Sequence, residues 1–329
     1  MKIFRVLITG ASPDQINRNT VLRSYVVEGF QQLLGIDNVF HCPLEYAATN
    51  TLEIKPDLVL SFGSCMPDDA DYFALRYSCD KSGSLLAFWL HDDPYEFDYN
   101  YKVIDVADFI FSNDKWAALH YNHTRAYHLP LAASKFAHYK PLNNDKEIDI
   151  FFCGVAFQNR IRLITDLEKT LANYKTTILG DQWPKDLLPL AKNKRLTNNE
   201  LSEAYARSKL TLNVGRDFHY ANDRYSLVPS TPGPRTFEAA MAGTTQIYFV
   251  ESLEIEEYYT PNKEIILFNS ADEFEELVNS FIDGSLGAAD IQMAAQERTI
   301  NEHTYYSRAE TMLKVIENCQ SNYTSEKHE

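Results

Sequence analysis

The chain has 329 residues, of which 45% are hydrophobic and 23% charged, and its formal net charge is −15. A chain of this length exceeds what one hydrophobic core usually holds, so we expect two globular domains. The negative charge disfavours a general nucleic-acid binder, which needs clustered Lys and Arg, and an anionic membrane surface. Any anionic ligand would have to meet a local basic site.

Cysteine use and hydropathy indicate a reducing compartment. The five cysteines are odd in number and none has CxxC spacing, so we expect no disulfide framework. The N-terminal apolar stretch is too short for a signal peptide, and no run approaches the roughly 20 apolar residues of a membrane span. We therefore expect a cytoplasmic protein with no integral membrane segment.

The first half alternates strands with helices, which predicts a parallel, doubly wound sheet. Ligands of such sheets gather at the carboxyl ends of the strands, here the loops at 10–17, 63–65, 91–95 and 112–115. In chain order we predict a strand at 4–10, a helix at 20–35, strands at 37–44 and 56–64, a helix at 72–83, a strand at 84–94, a helix at 101–107, a strand at 108–114, a helix at 116–122 and a strand at 126–132.

Residues 134–147 are polar and aperiodic, and we interpret them as the linker between domains at 1–140 and 147–300. We expect a helix within 301–320 to pack across the domain junction, and 321–329 to be a disordered tail.

The second half is predicted as a strand at 148–154, a helix at 160–174, a strand at 175–181, a helix at 198–208, a strand at 209–215, a helix at 236–242, strands at 244–249 and 263–269, a helix at 271–284 and continuous helix at 287–318.

The segment PSTPGPRTFEAAMAGTTQIYF, at 229–249, is the most informative one. It predicts a Pro/Gly loop, a short helix ending at Gly243, and a buried strand. The start of such a helix attracts anions through its free N–H groups and its dipole. Arg235 lies at this positive end and needs an anionic neighbour, and Glu238, about one turn further in, is within reach of a sugar hydroxyl pair. A purely structural alternative pairs Arg235 with a nearby carboxylate and makes Glu238 a favourable first-turn acid.

Two doubly wound domains are compatible with glycosyltransferases, periplasmic-type binding proteins and two-domain dehydrogenases. Three segments, ARSKLTLNVGRDF, PSTPGPRTFEAAMAG and EHTYYSRAETML, resemble the CgeB-type (spore maturation) glycosyltransferases, relatives of the group-1 retaining transferases. IDIFFCGVAFQNRIRLITDL resembles the start of their C-terminal domain, and FWLHDDPYEFDY, FIFSNDKWAALHY and HLPLAAS resemble their N-terminal domain. The resemblance covers most of the chain. It implies the GT-B fold, two Rossmann-like domains facing a central cleft, and transfer of a sugar from a nucleotide-diphosphate sugar.

By this resemblance, Glu238 matches the glutamate that holds the nucleotide ribose. The loop 231–235 and the helix start after it match the element that faces the donor diphosphate. Arg160, just after the turn at Gly154, matches a basic residue near the same phosphates, where a guanidinium stabilises charge on the departing diphosphate. Because cations and helix dipoles can stabilise the charge of the departing diphosphate, we expect no metal and no cofactor beyond the nucleotide-sugar co-substrate.

The segment 215–229 is long for a loop, and such loops are often functional. Its Arg216, His219 and Arg224 would place positive charge beside the donor site, and Arg216 has either a phosphate-binding or a structural role. The donor-binding candidates are therefore Gly154, Arg160, Arg216, Gly233, Arg235, Thr236 and Glu238.

One position departs from the group-1 pattern. A second glutamate usually precedes the ribose glutamate by seven residues, near the donor sugar, and this chain has Thr231 there. The sugar hydroxyls must find other partners, and retention of anomeric configuration rests on kinship alone. This departure also leaves open a non-catalytic nucleotide-binding or nucleotide-sugar-binding protein, and a structural partner protein is a third alternative.

The acceptor-side candidates are His91, Asp92 and Asp93, at the end of a predicted strand. One of the aspartates would orient an acceptor hydroxyl, or His91 would contact the transferring sugar. In the structural alternative one aspartate caps the next helix and His91 is buried. The catalytic candidates are therefore His91, Asp92, Asp93, Arg160 and Arg235. The acceptor is left open between a glycan, a protein, a lipid-linked carrier and a small molecule.

Other patterns are weaker. His120 and His123, with His128 nearby, lack an acidic or cysteine partner spaced to complete a metal site. Gly10-Ala-Ser follows a strand but lacks the GxGxxG set of a dinucleotide loop. Asn113 and Asp114 are typical turn formers. The aromatic residues at 95, 97, 99 and 101 either line a sugar-binding wall or pack in the interior.

Overall fold

The computed structural model describes residues 2–16, 20–66, 72–187, 189–284 and 286–325. The chain divides into two compact units by its internal contacts. The first unit contains Met1–Leu131, His219–Pro229 and Tyr305–Glu329, and the second contains Ala132–Phe218 and Ser230–Thr304. Residues 132–140, which were predicted to belong to the first domain, thus lie in the second unit. Two segments from the second half of the chain, 219–229 and 305–329, belong to the first unit.

The first unit is built on a parallel sheet. Within the described residues it has six strands in the order β2-β1-β3-β4-β5-β6. Most of these strands are short runs of buried apolar residues, as expected where helices cover both faces of a parallel sheet. The strands are β1 Val6–Gly10, β2 Val39–Cys42, β3 Leu58–Gly63, β4 Leu85–Leu90, β5 Phe109–Ser112 and β6 Ala126–His128.

Helices flank this sheet. The last of them comes from the C-terminal end of the chain and packs on the first, at Gly29, where a Cβ would lie 2.5 Å from the Tyr305 backbone. Only glycine allows this close approach. The helices of the first unit are α1 Thr20–Leu34, α2 Leu44–Ile54, α3 Phe73–Ser82, α4 Tyr101–Ile104, α5 Lys115–His120 and α13 Tyr305–Ser325.

The second unit repeats this architecture. Its six strands, counted over the residues described, follow the order β12-β11-β10-β7-β8-β9, and all neighbouring pairs are parallel. The strands are β7 Ile148–Val155, β8 Thr176–Asp181, β9 Ala191–Lys192, β10 Ser208–Asn213, β11 Thr245–Phe249 and β12 Ile266–Phe268. The helices are α6 Lys135–His138, α7 Gln158–Asp166, α8 Glu168–Leu171, α9 Asn198–Ala206, α10 Pro234–Met241, α11 Ala271–Ile282 and α12 Ala288–Glu302. Two doubly wound parallel sheets confirm the predicted fold class.

The structure differs from the predicted elements at several places. The helix predicted at 160–174 is divided at Leu167 into α7 and α8. The continuous helix at 287–318 is broken, since α12 ends at Glu302 and α13 begins at Tyr305. The break occurs because the His303 carbonyl accepts from the Ala133 N–H at 3.0 Å, and Ala133 and Thr304 form a β-bridge. The predicted linker contains α6, and neither α2 nor β9 was predicted.

Helix α13 runs to Ser325, so the predicted disordered tail is helical at its start, and residues 326–329 lie outside the described part. Among the described helices, none combines the length and apolar character needed to span a bilayer.

Candidate functional site

The first turn of α10 begins beside the carboxyl ends of the central strands of the second sheet. Gly233 is its N-cap residue and Pro234 its first helical residue. Gly233 has no side chain to cap the helix, and, apart from its own chain neighbours, no described residue has an atom within 4 Å of where its Cβ would sit. Proline at this position loses no hydrogen bond, and the Thr236 N–H donates to the Gly233 carbonyl at 3.1 Å, so Gly233 and Arg235 supply the first-turn N–H groups that an anion would meet. The helix start is therefore open to an anion.

Arg235 and Glu238 form an ion pair one turn apart on α10. The Arg235 Nη1 donates to Glu238 Oε2 at 2.5 Å, and the exposed fractions of the two side chains are 46% and 4%. The anionic neighbour expected for Arg235 is thus Glu238 itself. The pair offsets the unfavourable position of a cation at the helix N-terminus.

His138, from the segment predicted as a linker, lies on the other side of the Glu238 carboxylate. Its Nε2 is 3.8 Å from Glu238 Oε1, and its side chain is 1% exposed. The Ser134 N–H donates to His138 Nδ1 at 3.0 Å, so the neutral ring carries its proton on Nε2, towards Glu238. Burial lowers the pKa of His138, the Glu238 carboxylate opposes this shift, and Arg235 adds to it. The imidazole is therefore neutral at neutral pH.

Thr236 fastens the first turn of α10 to the sheet. Its hydroxyl accepts from Asn213 Nδ2 at 3.0 Å, and its carbonyl accepts from Gln246 Nε2 at 2.9 Å. Asn213 also donates to Gln246 Oε1 at 2.9 Å, which ties β10 to β11 beneath the helix. Thr236 is thus placed to hold the helix, while Asn213 and Gln246 are polar supports that the sequence analysis missed.

Arg160 joins the loops that follow β7 and β10. Its guanidinium donates to the carbonyls of Val155, Val214 and Gly215 at 3.1, 3.3 and 2.8 Å. A Cβ on Gly154 would lie 2.8 Å from Arg160 Nη1, so the glycine allows the arginine to lie against the strand end. These bonds give Arg160 a structural task whether or not it also faces a phosphate.

An aromatic pair lies next to Arg160 in the second unit. The Phe157 and Phe218 rings are stacked, with centroids 5.6 Å apart and planes inclined by 4°. The guanidinium carbons of Arg160 and Arg216 lie 5.0 and 6.0 Å from the Phe157 ring centroid. Glu251 supports the same loop, since its carboxylate accepts from the Gly215 N–H at 2.8 Å.

Thr231, the position that departs from the group-1 pattern, is bonded to a buried carboxylate. Its hydroxyl donates to Glu254 Oε1 at 2.8 Å, and Ser230 donates to Glu254 Oε2 at 2.6 Å. The Tyr258 hydroxyl donates to Glu254 Oε1 at 2.8 Å. Glu254 therefore anchors the loop that leads into α10, and no local sequence signal identifies it.

In the first unit, His91 lies at the end of β4 and lines a small depression with Gly10, Ser12 and Gly63. The predicted loops at the carboxyl ends of β1, β3 and β4 therefore meet. His91 is buried, packs edge-on to Phe62 with centroids 5.3 Å apart, and has its Nδ1 3.1 Å from Asp92 Oδ2.

Asp93 is buried and fully engaged in a network. It accepts from Ser112 Oγ at 2.6 Å, from Tyr121 Oη at 2.8 Å and from Asn100 Nδ2. Burial raises the pKa of Asp93 to about 7, although the bonds from Ser112 and Tyr121 oppose that shift. Asp93 thus connects the loops after β4 and β5. Neither aspartate caps the next α-helix, since the N-cap residue of α4 is Asn100. The aspartate that caps a helix here is Asp114, which accepts from the Ala117 N–H at 3.0 Å at the start of α5.

The segment 219–229 is part of the first unit, so His219 and Arg224 lie there, whereas Arg216 lies in the second. The carbonyl of Tyr95 accepts from the Tyr220 and Ala221 N–H groups, and the Asp98 carboxylate accepts from the N–H groups of Asp223 and Arg224.

The aromatic residues at 95–101 mostly pack against their own unit. Phe97 is buried against Tyr121 with centroids 4.9 Å apart, and Tyr99 lies 6.4 Å from Tyr220. Tyr101 is exposed.

His120 and His123 form hydrogen bonds with backbone groups. His120 Nδ1 lies 2.7 Å from the Trp116 carbonyl, and His123 lies between the Ala107 carbonyl and the Arg125 N–H. Within the part of the chain that the structure describes, no group of three or more His, Cys, Asp and Glu side chains is arranged to hold a metal ion.

A family model described as glycosyl transferase-like matches residues 160–314, which include Arg160, Arg235 and Glu238. No curated protein matches the sequence.

Solved structures share the fold over nearly the whole chain. HepE of Anabaena, in complex with UDP and glucose, has a TM-score of 0.61 and 10% identity, over 96% of this chain and 100% of that one. A glycosyltransferase of Rickettsia africae has a TM-score of 0.64 and 11% identity, over 98% and 100%. A Listeria monocytogenes protein proposed to be a UDP-N-acetylglucosamine 2-epimerase has a TM-score of 0.59 and 10% identity, over 98% of both chains. At these identities the likeness shows the fold alone, which is GT-B.

Proposed function

We propose that the protein is a glycosyltransferase that moves a sugar from a nucleoside-diphosphate sugar to an acceptor. The observation that carries the proposal is the first turn of α10, where an open helix start, Arg235 and the buried Glu238 carboxylate lie together. The glycosyl transferase-like family model covers this turn, and HepE, which shares the fold, binds UDP and glucose. Fold alone does not separate transferases from epimerases, so the proposal depends on the site.

In the proposed mechanism, Glu238 accepts hydrogen bonds from the ribose hydroxyls. The diphosphate lies at the Gly233 end of α10, where the N–H groups of the first turn and Arg235 stabilise the charge that develops as the sugar–phosphate bond breaks. Arg160, on the first turn of α7, and Arg216, in the loop after β10, contribute positive potential. These donors act without a metal ion, and by resemblance to the CgeB-type transferases we propose retention of configuration.

On the acceptor side we propose His91 and Asp92. The Asp92 carboxylate, 3.1 Å from His91 Nδ1, fixes the orientation of the imidazole beside the depression formed with Gly10, Ser12 and Gly63. An imidazole held in this way can bind or accept a proton from an acceptor hydroxyl. Asp93 has three donors on its carboxylate, so its contribution is to hold the loops that shape this depression.

A non-catalytic nucleotide-sugar-binding protein is the second candidate, and two observations favour it. Arg160 is tied to three backbone carbonyls, and Thr231 to the buried Glu254. Both arrangements describe a well-supported pocket and leave fewer groups to stabilise a transition state.

The test is incubation of the full chain with a panel of UDP-, GDP- and dTDP-sugars, with release of the nucleoside diphosphate measured by chromatography. We expect slow release without acceptor from one member of the panel, and its loss in Glu238→Ala. Arg298→Gln, which removes an ion pair with Glu302 on α12, is the matched control and should release the product as the wild type does. Binding without release would favour the second candidate, and no binding would overturn both.

A further inference from the structure

The ion pair on α10 joins two groups that the proposed function gives to different parts of one ligand. Glu238 would hold the ribose and Arg235 the diphosphate, yet Arg235 Nη1 donates to Glu238 Oε2. Resting on the proposed function, we infer that Arg235 is a specificity-determining residue. Its bond to Glu238 masks the ribose-binding carboxylate from a nucleoside, and a diphosphate removes the mask by drawing the guanidinium away.

The mask follows from how little of the carboxylate is accessible. The Glu238 side chain is 4% exposed, Oε2 is bonded to Arg235, and Oε1 faces His138 Nε2 at 3.8 Å. A ribose hydroxyl that donates to this carboxylate must therefore compete with the guanidinium. Because a nucleoside brings no group to replace Glu238 as a partner of Arg235, its binding includes the cost of breaking the ion pair.

A diphosphate offers that replacement. Nearly half of the Arg235 side chain is exposed, so the guanidinium is at the surface and is free to rotate about its long stem. It lies on the second residue of α10, where the helix dipole disfavours a cation and favours an anion. Diphosphate oxygens at the Gly233 end accept from both the helix N–H groups and Arg235. The exchange of one anionic partner for another then leaves Glu238 to the ribose.

His138 keeps the carboxylate in place during this exchange. Its imidazole is fixed by the Ser134 N–H bond to Nδ1, and it packs against Glu238 from α6. The carboxylate therefore has a second neighbour when Arg235 departs, and it need not change position to meet the ribose.

The experiment compares the affinities of a nucleoside and its diphosphate for the wild type and for Arg235→Gln. The base is chosen as the one whose diphosphate gives the largest thermal shift, and nucleoside binding is measured by saturation-transfer NMR at millimolar concentration. In Arg235→Gln we expect about tenfold weaker diphosphate binding, from loss of a charge-assisted hydrogen bond, and about threefold tighter nucleoside binding, from loss of an ion pair between a half-exposed arginine and a buried glutamate. Unchanged or weaker nucleoside binding, including none detected in either protein, would overturn the inference.

Two further proteins complete the design. Arg298→Gln removes a surface ion pair with Glu302 on α12 and should leave both affinities as in the wild type. Arg235→Lys keeps the charge with a weaker, single-atom contact. It should show a smaller diphosphate loss and still a nucleoside gain, and it provides the test if Arg235→Gln does not fold. Failure of the proposed function is distinct: the wild type would then either bind no nucleoside diphosphate, or bind the nucleotide sugars without releasing a nucleoside diphosphate from them.

Discussion

His138 Nε2 lies 3.8 Å from Glu238 Oε1, so a histidine from α6 and a glutamate from α10 meet inside the second unit. In the folded protein the pKa of His138 is lower than its ordinary value of 6.5, chiefly because the ring is buried. The unfolded chain therefore takes up the proton first as the pH falls.

This pKa shift predicts how stability depends on pH. The unfolded state binds more protons than the folded one below about pH 6.5, so the contribution of neutral His138 is complete above that value and is lost as the pH falls towards the folded pKa. Urea unfolding at pH 7.5 and pH 5.5 should show a larger loss of stability in the wild type than in His138→Gln. Equal losses in the two proteins would show that His138 does not titrate in this way.

The raised pKa of Asp93 predicts the opposite dependence of stability on pH. Its folded pKa of about 7 lies above the ordinary 3.8, so the folded state holds the proton over this interval and stability falls as the pH rises from about 4 to 7. The shift sets an upper bound of about 4 kcal/mol on that loss. In Asp93→Asn the corresponding pH dependence should disappear. Denaturant midpoints at pH 5 and pH 7.5 measure it, and an identical pH dependence in both proteins would contradict the assignment.

Glu254 should support donor binding from outside the site. Glu254→Gln puts an amide N–H₂ among hydroxyls from Ser230, Thr231 and Tyr258 that donate to the carboxylate, so at least one bond is lost. We expect a loss of about 1–3 kcal/mol in the free energy of unfolding and severalfold weaker nucleotide binding. The exposed neighbour Glu256→Gln is the control and should change neither. Weaker folding with unaltered nucleotide affinity would limit Glu254 to a structural role.

Arg160 donates to backbone carbonyls and is also proposed to stabilise the charge that develops during transfer. Kinetic measurements separate these two roles. Arg160→Ala removes donors from three carbonyls, so unfolding should become easier by about 1–3 kcal/mol. If the guanidinium also stabilises developing charge, kcat should fall more than nucleotide affinity. The exposed Arg162→Gln, which loses only a 3.4 Å contact with Asp217, should match the wild type. Equal losses of kcat and affinity would argue against the catalytic role of Arg160.

The fold was accessible from the sequence because buried parallel strands are continuous apolar runs, as in Val6–Gly10 and Leu58–Gly63. Features that depend on distant contacts were not accessible. The helix break at His303 requires Ala133, whose N–H takes the carbonyl of His303.

The site divides in the same way. Glu238 and Arg235 lie in one short motif, and helix geometry predicts that they face the same ligand. His138 and Glu254 are 100 and 23 residues from the side chains they contact, Glu238 and Thr231, and only the folded chain brings these pairs together. Local sequence carries no signal for such pairs.

The most direct measurement of the central claim is a crystal structure of the full chain with the nucleoside diphosphate that gives the largest thermal shift. We expect the diphosphate at the Gly233 end of α10, with Arg235 bonded to a phosphate oxygen and both ribose hydroxyls within hydrogen-bonding distance of Glu238. A nucleotide bound elsewhere, or an unbroken Arg235–Glu238 pair with no density at the start of α10, would contradict the account.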